Sequence, residues 1–413
     1  VEKSRRQNDD THRTTRNRES INMPLASLSR PHLLRLRNTV SSFLSSASIR
    51  GVATSTEKSP TAVVLLNLGG PSTQEDVHPF LLRLFSDREI IQLPVQKYLS
   101  QWIAMRRTPK IQQQYQKIGG GSPIRKWTEE QGKAMIEQLD KLCPETAPHK
   151  YYIAFRYASP LTDDAVMEMK KDGVKRAVAF TQYPQFSCST TGSSLNELYR
   201  VLHKQGMDKD IQWSVIDRWH SQPGLIKAFV KKITESLNHY PPEDRDKVVI
   251  LFSAHSLPMK VVNRGDPYPQ EVSATVHEVM EGLDWSHPYR LVWQSQVGPL
   301  PWLGPQTGDA LKGLAEKGWK HVLVVPIAFT SDHVETLYEI DLEYGHQAKE
   351  HGMHGFRRAE SLNTDPAFIE AMSQTVASHL KGTALSSRQF HLRCPGCTNE
   401  YCKDSKQFFT QAH

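Results

Sequence analysis

Short, almost unbroken apolar runs recur along this chain, separated by longer stretches in which apolar and polar residues alternate at helical spacing. The runs are "AVVLLNLGG" (62–70), "YYIAFRYA" (151–158), "RAVAFTQYP" (176–184), "WSVIDRW" (213–219), "KVVILFSAHSLP" (247–258), "YRLVWQSQ" (289–296) and "HVLVVPIAFTSD" (321–332). Segments such as "WTEEQGKAMIEQLDKL" (127–142) and "DPAFIEAMSQTVASHLKG" (365–382) read as helices between them. A strand that is apolar at nearly every position is buried on both faces, so the pattern predicts an α/β fold of parallel sheets covered by helices on both sides. The runs form two series, one from about 60 and one from about 245. Each opens on a similar strand and loop, "VVLLNLGGP" and "VVILFSAHSLP". That suggests two like α/β domains facing each other, over residues 58–230 and 231–385, with a short Cys-rich extension at 386–413. In such sheets ligands bind beyond the carboxyl ends of the strands. His255 stands at one of those ends, and the stretch after "VLVVPIAF" (322–329) at another.

Residues 1–57 do not share this pattern. From Met23 to Thr56 the chain holds Arg30, Arg35, Arg37 and Arg50, many serines, and no Asp or Glu. Leu33, Leu36, Val40 and Phe43 recur at helical spacing among those arginines. That is the composition of a mitochondrial targeting peptide, and Met23 reads as the start. Composition otherwise changes little: 413 residues, 38% hydrophobic and 23% charged, are ordinary for a globular protein. The net charge of +7 has much of its excess in residues 1–56. No basic stripe with interleaved aromatics points to nucleic acid. No apolar run approaches the ~20 residues of a membrane span.

The first candidate chemistry is "PIAFTSDHVETLYEIDLEY" (326–344), where Asp332, His333, Glu335, Glu339, Asp341 and Glu343 follow an apolar strand. Read plainly, Asp332 caps a helix and the acids form its solvated face. The spacing resists that. Residues 332, 335, 339 and 343 stack on one face, where like charges four apart each cost roughly 0.2–0.5 kcal/mol. A column of carboxylates without interleaved Lys or Arg wants a cation or protons, and neutralising any of these acids should leave the helix at least as stable. His255, in "LFSAHSLPMKVVNRGDPYP" (251–269), is the candidate partner from the neighbouring strand end.

Cysteine is the second. Of five, Cys394, Cys397 and Cys402 close the chain in "CPGCTNEYC". Their spacing is that of metal ligands, and Cys188 in "FSCSTTGSS" is a possible fourth thiolate. Structural zinc and an iron–sulfur cluster both fit, and spacing does not separate them. Cys143 reads as an ordinary thiol. The third is "PFLLRLFSDREIIQLPVQKYLSQWIAMRRTPK" (79–110), ending in Arg106-Arg107. It is either a core helix or, over 79–107, an apolar lip lying in a membrane surface, with Leu84, Ile90 and Ile91 touching lipid.

Taken together, "LLNLGGP", "RRTPKIQQQYQKIGGGSPI", "FTQYPQFSCSTTGSSLN", "SAHSLPMKVVNRGDPYPQEV", "PYRLVWQSQVGPLPWLGPQT" and "PIAFTSDHVETLYEID" strongly resemble the ferrochelatase family, and within it the animal-type mitochondrial members, over roughly residues 60–410. The resemblance implies two Rossmann-like domains with a porphyrin cleft between them. It implies insertion of Fe2+ into protoporphyrin IX with release of two protons, the last step of haem synthesis. His255 matches the family's active-site histidine and Glu335 its paired acid. Asp332, His333, Glu339 and Glu343 then belong to the path by which protons or metal travel. Arg107, Tyr115 and Ser122 match porphyrin-propionate contacts, and Asn67, Leu68, Arg106, Arg156 and Trp302 complete the substrate-binding set. Leu68 departs from mammalian members, which carry Met there, a change of similar volume. Cys188, Cys394, Cys397 and Cys402 match the ligands of a two-iron, two-sulfide (2Fe–2S) cluster, which favours the cluster over zinc. The resemblance further implies a homodimer, peripheral on the matrix side of the mitochondrial inner membrane, with no nucleic-acid partner.

A planar free porphyrin hides its central nitrogens and holds two N–H protons, so an enzyme must distort it and take the protons away. Neutral His255 suits the second task by its ordinary pKa. Two other readings remain: a haem- or metal-binding carrier, and a chelatase for another metal–tetrapyrrole pair. A carrier has no need of the carboxylate column.

Overall fold

In a computed structural model of the chain, residues 58–411 are described. The targeting segment read in residues 1–57 lies outside them. Each of the seven apolar runs forms a strand. The first sheet holds β1 (Thr61–Asn67), β2 (His149–Phe155), β3 (Arg176–Thr181) and β4 (Gln212–Ile216). The second holds β5 (Val248–His255), β6 (Tyr289–Gln294), β7 (His321–Pro326) and β8 (Gly355–Arg358). Their orders are β2-β1-β3-β4 and β6-β5-β7-β8, the same arrangement twice, with every pairing parallel. The two-series pattern of the sequence is therefore a real repeat of topology. Only β8 has no counterpart among the apolar runs. It is a four-residue edge strand, "GFRR", with no fully buried residue.

β1 is buried at all seven positions, as a central strand covered on both faces must be. One core cluster runs from Val63 and Leu65 through Met135 and Leu139 to Val248, Ile250 and Phe252, and so joins the two sheets. The helix Ile124–Leu142 and the helix Pro366–Lys381 pack against each other across this join. Polar bonds cross it too: Gln131 Nε2 donates to the carbonyls of Thr330 (3.2 Å) and Asn363 (2.9 Å). The chain after Lys381 returns to the first sheet, where Val215 of β4 donates to the Leu385 carbonyl. Phe390, Phe408 and Phe409 of the Cys-rich extension are buried in the core beside Trp213 and Phe186.

The helices Val77–Ser86 and Gln96–Lys117 form a hairpin inserted between β1 and β2. Val77, Leu81, Phe85, Ala104 and Tyr115 are its buried core, and Val334 of the second half packs against it. Val95, Tyr98, Trp102 and Met105, spaced three, four and three, stay 51–67% exposed. The exposed apolar row is this one, whereas Ile91 is packed into the hairpin core and Leu84 and Ile90 are half-buried. No helix among the described residues is long and apolar enough to cross a membrane.

Candidate active site

The carboxyl ends of β5 and β6 lie in register, His255 beside Gln294. His255 is therefore held at a sheet end, with Ser295 one residue beyond its neighbour. After β7 the chain turns through residues 327–334 and enters Glu335–Tyr344, which is wound as a π-helix. Such wide turns (i→i+5 hydrogen bonds) are rare, short and concentrated at functional sites. Residues four apart remain on one side of it, so Glu335 and Glu339 both reach the strand ends.

His255 Nδ1 lies 2.9 Å from Glu335 Oε2. The Trp302 ring stands edge-on to the imidazole, centroids 6.3 Å apart. The His255 side chain is 39% exposed and Glu335 21%, so the pair has an open side. Burial alone would raise the Glu335 pKa, but the His255 charge, its hydrogen bond, His333 and Ser295 bring it down to about 2. Burial depresses His255, and Glu335 outweighs that and raises it above 6.5. Glu339 is pushed the other way, up to about 7, by burial and then by the Glu335 charge. Two carboxylates one turn apart thus have opposite tendencies, one held ionised and the other favouring its proton, a division of labour suited to proton transfer.

Other acids of the stretch are occupied elsewhere. Asp332 accepts from Arg358 (3.1 Å), Ser361 (2.7 Å), Thr336 (3.0 Å) and Asn363 (2.8 Å). Arg358 also grips Asp341 through Nε and Nη2, at 2.7 and 2.9 Å. The column therefore has a cation after all, supplied by β8. His333 donates through Nδ1 to the Ser331 carbonyl (2.9 Å), and its ring lies tilted against Phe329 with centroids 4.7 Å apart. Glu343 is exposed at the outer end of the helix.

Tyr115 is buried. Burial and the charges of Glu335 and Glu339 raise its pKa, so its hydroxyl stays protonated near the acid pair. Asn67 Oδ1 accepts from the Leu68 amide at 2.7 Å. This turn needs glycine: Gly69 has φ +77°, and a Cβ there would meet Phe155 at 2.8 Å, while one on Gly70 would meet Ser122 Oγ at 2.7 Å. Arg106 and Arg107 lie over the Trp102 and Phe85 rings. Arg156 stands apart from the His255–Glu335 pair. Its side chain, 9% exposed, is paired with Asp87 (2.6 Å) and Glu197 (3.5 Å). Gln294 and Ser295 were not singled out in the sequence. Their signal was register, a strand ending beside the histidine, which a lone apolar run does not disclose.

A second site lies away from this pair. Cys188 opens a π-turn, Cys188–Gly192, with its amide on Asp266 Oδ2 at 2.7 Å. Cys188, Cys394, Cys397 and Cys402 line one cavity of about 750 Å³ together with Arg156 and Lys406. All four are free thiols. Cys397 and Cys402 are in side-chain contact, and Cys188 lies near Cys394. Cys143 is buried apart from them, its thiol on the Ala377 carbonyl at 3.8 Å. Among the described residues no three His, Cys, Asp or Glu side chains close on a point as a single-ion site. Four thiols line one cavity, a donor set whose chemistry suits a thiolate-bound metal group.

The family model described as Ferrochelatase matches residues 60–380. "Ferrochelatase, mitochondrial" of Xenopus laevis is 57% identical over 378 residues, covering 89% of this chain and 92% of its own. The protein of the same name from Homo sapiens is 59% identical over 354 residues, covering 86% and 84%. That of Drosophila melanogaster is 50% identical over 378 residues, covering 91% and 98%.

Proposed function

The chain belongs to the ferrochelatase family, and from that premise we propose how its residues carry the reaction. It is a mitochondrial lyase of haem synthesis that inserts ferrous iron into protoporphyrin to give haem. His255, through Nε2, takes the pyrrole protons, because Nδ1 is committed to Glu335. The ionised Glu335 holds the imidazole in orientation and stabilises its protonated form. Trp302, edge-on to His255, and the Asn67–Leu68 turn form apolar and polar walls for a macrocycle bent away from planarity. Arg107, Tyr115 and Ser122 stand ready for its propionates. Fe2+ enters as substrate, and its affinity for nitrogen ligands suits the exposed pyrroles.

The observation that carries this reading is the His255–Glu335 contact on the open side of two strand ends. The test is anaerobic incubation with Fe2+ and protoporphyrin, following loss of porphyrin fluorescence. Turnover well beyond one equivalent, abolished by His255→Ala and by Glu335→Gln with porphyrin still bound, is expected. One equivalent or less in the native protein would mean a carrier.

Cys188, Cys394, Cys397 and Cys402 are the residues that would hold a 2Fe–2S cluster, and the shared cavity supports that set. When bound, the cluster supplies four iron–thiolate bonds that cross-link the C-terminal loop to the first half. We read the protein as a homodimer, peripheral on the matrix side of the inner membrane. The exposed row of Val95, Tyr98, Trp102 and Met105, with Arg106 beside it, supports the membrane part.

A further inference from the structure

We propose that the Ser295 hydroxyl is the relay through which protons collected by the His255–Glu335 pair reach Glu339. It rests on the reading of that pair as the proton acceptor. Ser295 Oγ lies 3.2 Å from Glu335 Oε2 and 2.6 Å from Glu339 Oε2. A hydroxyl both donates and accepts, so one side chain can receive from the first carboxyl and give to the second.

The backbone is shaped for this contact. Ser295 has φ +67°, a left-handed conformation that a serine rarely adopts without a reason nearby. Its neighbour Gln294 is fully buried and fixed in orientation: Ser253 Oγ donates to Gln294 Oε1 at 2.7 Å, and Ser253 contacts the buried Thr307 at 2.9 Å. That leaves Gln294 Nε2 facing the acids, 3.0 Å from the Glu335 carbonyl and 3.2 Å from Glu339 Oε2. The same end of β6 therefore holds both carboxylates against one hydroxyl.

Each transfer balances. A proton taken at His255 Nε2 leads to loss of the Nδ1 proton to Glu335 Oε2. That proton moves to Ser295 Oγ as the hydroxyl's own proton moves to Glu339 Oε2, and the hydroxyl rotates back. Glu339 discharges toward exposed Glu343 and solvent. Each pass leaves the imidazole protonated at Nε2 and bare at Nδ1, so the second pyrrole proton follows only after exchange with solvent on the open side of His255 has restored the Nδ1–H tautomer. The direction agrees with the electrostatics: burial and the Glu335 charge make Glu339 the better proton holder. The groups facing Glu339 are Glu335 and Tyr344 on its own helix, His255 from β5, Gln294 and Ser295 from β6, and Tyr115 from the hairpin; Tyr344 also faces Glu343. His333 and Tyr268 face Glu335.

The experiment compares Ser295→Gly and Ser295→Ala, each alone and with Glu339→Gln. Glycine keeps the left-handed backbone without strain and removes the CH2OH group, so Ser295→Gly should stay folded. Both single variants should lose kcat by about a hundredfold, the lower end for a lost proton-transfer group, with KM for porphyrin little changed. Because the hydroxyl's hydrogen bond helps hold Glu339 down, the rising limb of kcat against pH should move to higher pH in both. In the Glu339→Gln background neither change should cost further rate, since both lie on one path. Native kcat and pH profile in Ser295→Gly would overturn the relay, as would loss in Ser295→Ala alone, or losses that multiply with Glu339→Gln. If His255→Ala and Glu335→Gln keep full turnover, the acceptor reading fails instead, and the relay with it.

Discussion

At the scale of single residues, Glu335 and Glu339 differ by what faces them. The even spacing of the acids implied that neutralising any of them would relieve repulsion. The structure separates the two cases. Glu335 is depressed by His255 and contributes stability above pH 4.5 that is lost as pH falls toward about 2. Glu335→Gln removes that pairing and should lower the thermal midpoint at neutral pH. Glu339 is raised from 4.5 to about 7, so the folded state binds its proton more tightly than the unfolded one. Stability then falls as pH rises across roughly 4.5 to 7. Glu339→Gln should abolish that fall. Its midpoint, compared with native protein, should gain between pH 5 and pH 7 and level off above that. Melting curves across this range check both signs, and an unchanged difference for Glu339→Gln would show that Glu339 is not buried beside a charge. Sequence could nominate these residues but not their opposite tendencies to hold a proton, because burial and the imidazole partner arrive through the fold.

At the scale of elements, strands and helices that are apolar throughout were legible, and those that are not were missed. β8 was missed because an edge strand of four half-exposed residues has no pattern of its own. Its loss mattered, since Arg358 sorts the acids: it pairs with Asp332 and Asp341 and not with Glu335, Glu339 or Glu343. Arg358→Leu should therefore destabilise by about 3 kcal/mol, the scale of stranding partly buried carboxylates. It should leave kcat per folded molecule close to native. A collapse of kcat in folded protein would show that Asp332 serves the reaction directly. The hairpin 77–117 shows the opposite ambiguity. Its apolar run was legible, but which side faces water was not. The structure shows Ile91 partly buried against the hairpin core and Tyr98, Trp102 and Met105 outward. Replacing those three by Ser should weaken flotation with anionic liposomes and leave the melting temperature unchanged. Ile91→Ser should instead lower the melting temperature. Equal flotation of the triple variant would remove the membrane role from this face.

At the scale of the whole molecule, the duplicated topology was readable because it repeats a strong signal, whereas the seat of the C-terminal extension was not. The cysteines announced themselves by spacing, yet the anchors are Phe390, Phe408 and Phe409, scattered among polar residues. The extension is held twice over. Aromatic burial docks it on the first sheet, and the loop of Cys394 and Cys397 meets the second half, where Gly396 donates to the Arg264 carbonyl at 2.9 Å. A Cβ on Gly265 would strike Pro395 at 2.6 Å, so the two loops fit without slack. These two attachments make separable predictions. Replacing any one of Cys188, Cys394, Cys397 or Cys402 by Ser should bleach visible absorption and remove acid-labile sulfide. Cys143→Ser should do neither. The bleached variants should stay folded, with the segment 392–400 newly open to protease, because the phenylalanines still hold the helix Tyr401–Thr410. Phe409→Ala should cost about 3–5 kcal/mol through the cavity it leaves, a larger global loss than any single cysteine change. Stoichiometric zinc without sulfide in the native protein would sink the cluster. Global unfolding of every cysteine variant, with Phe409→Ala mild, would mean that the metal and not the aromatic core seats the extension. If the order runs as expected, the thiols tie a loop that is already docked, and metal loss is a local event beside an intact catalytic half.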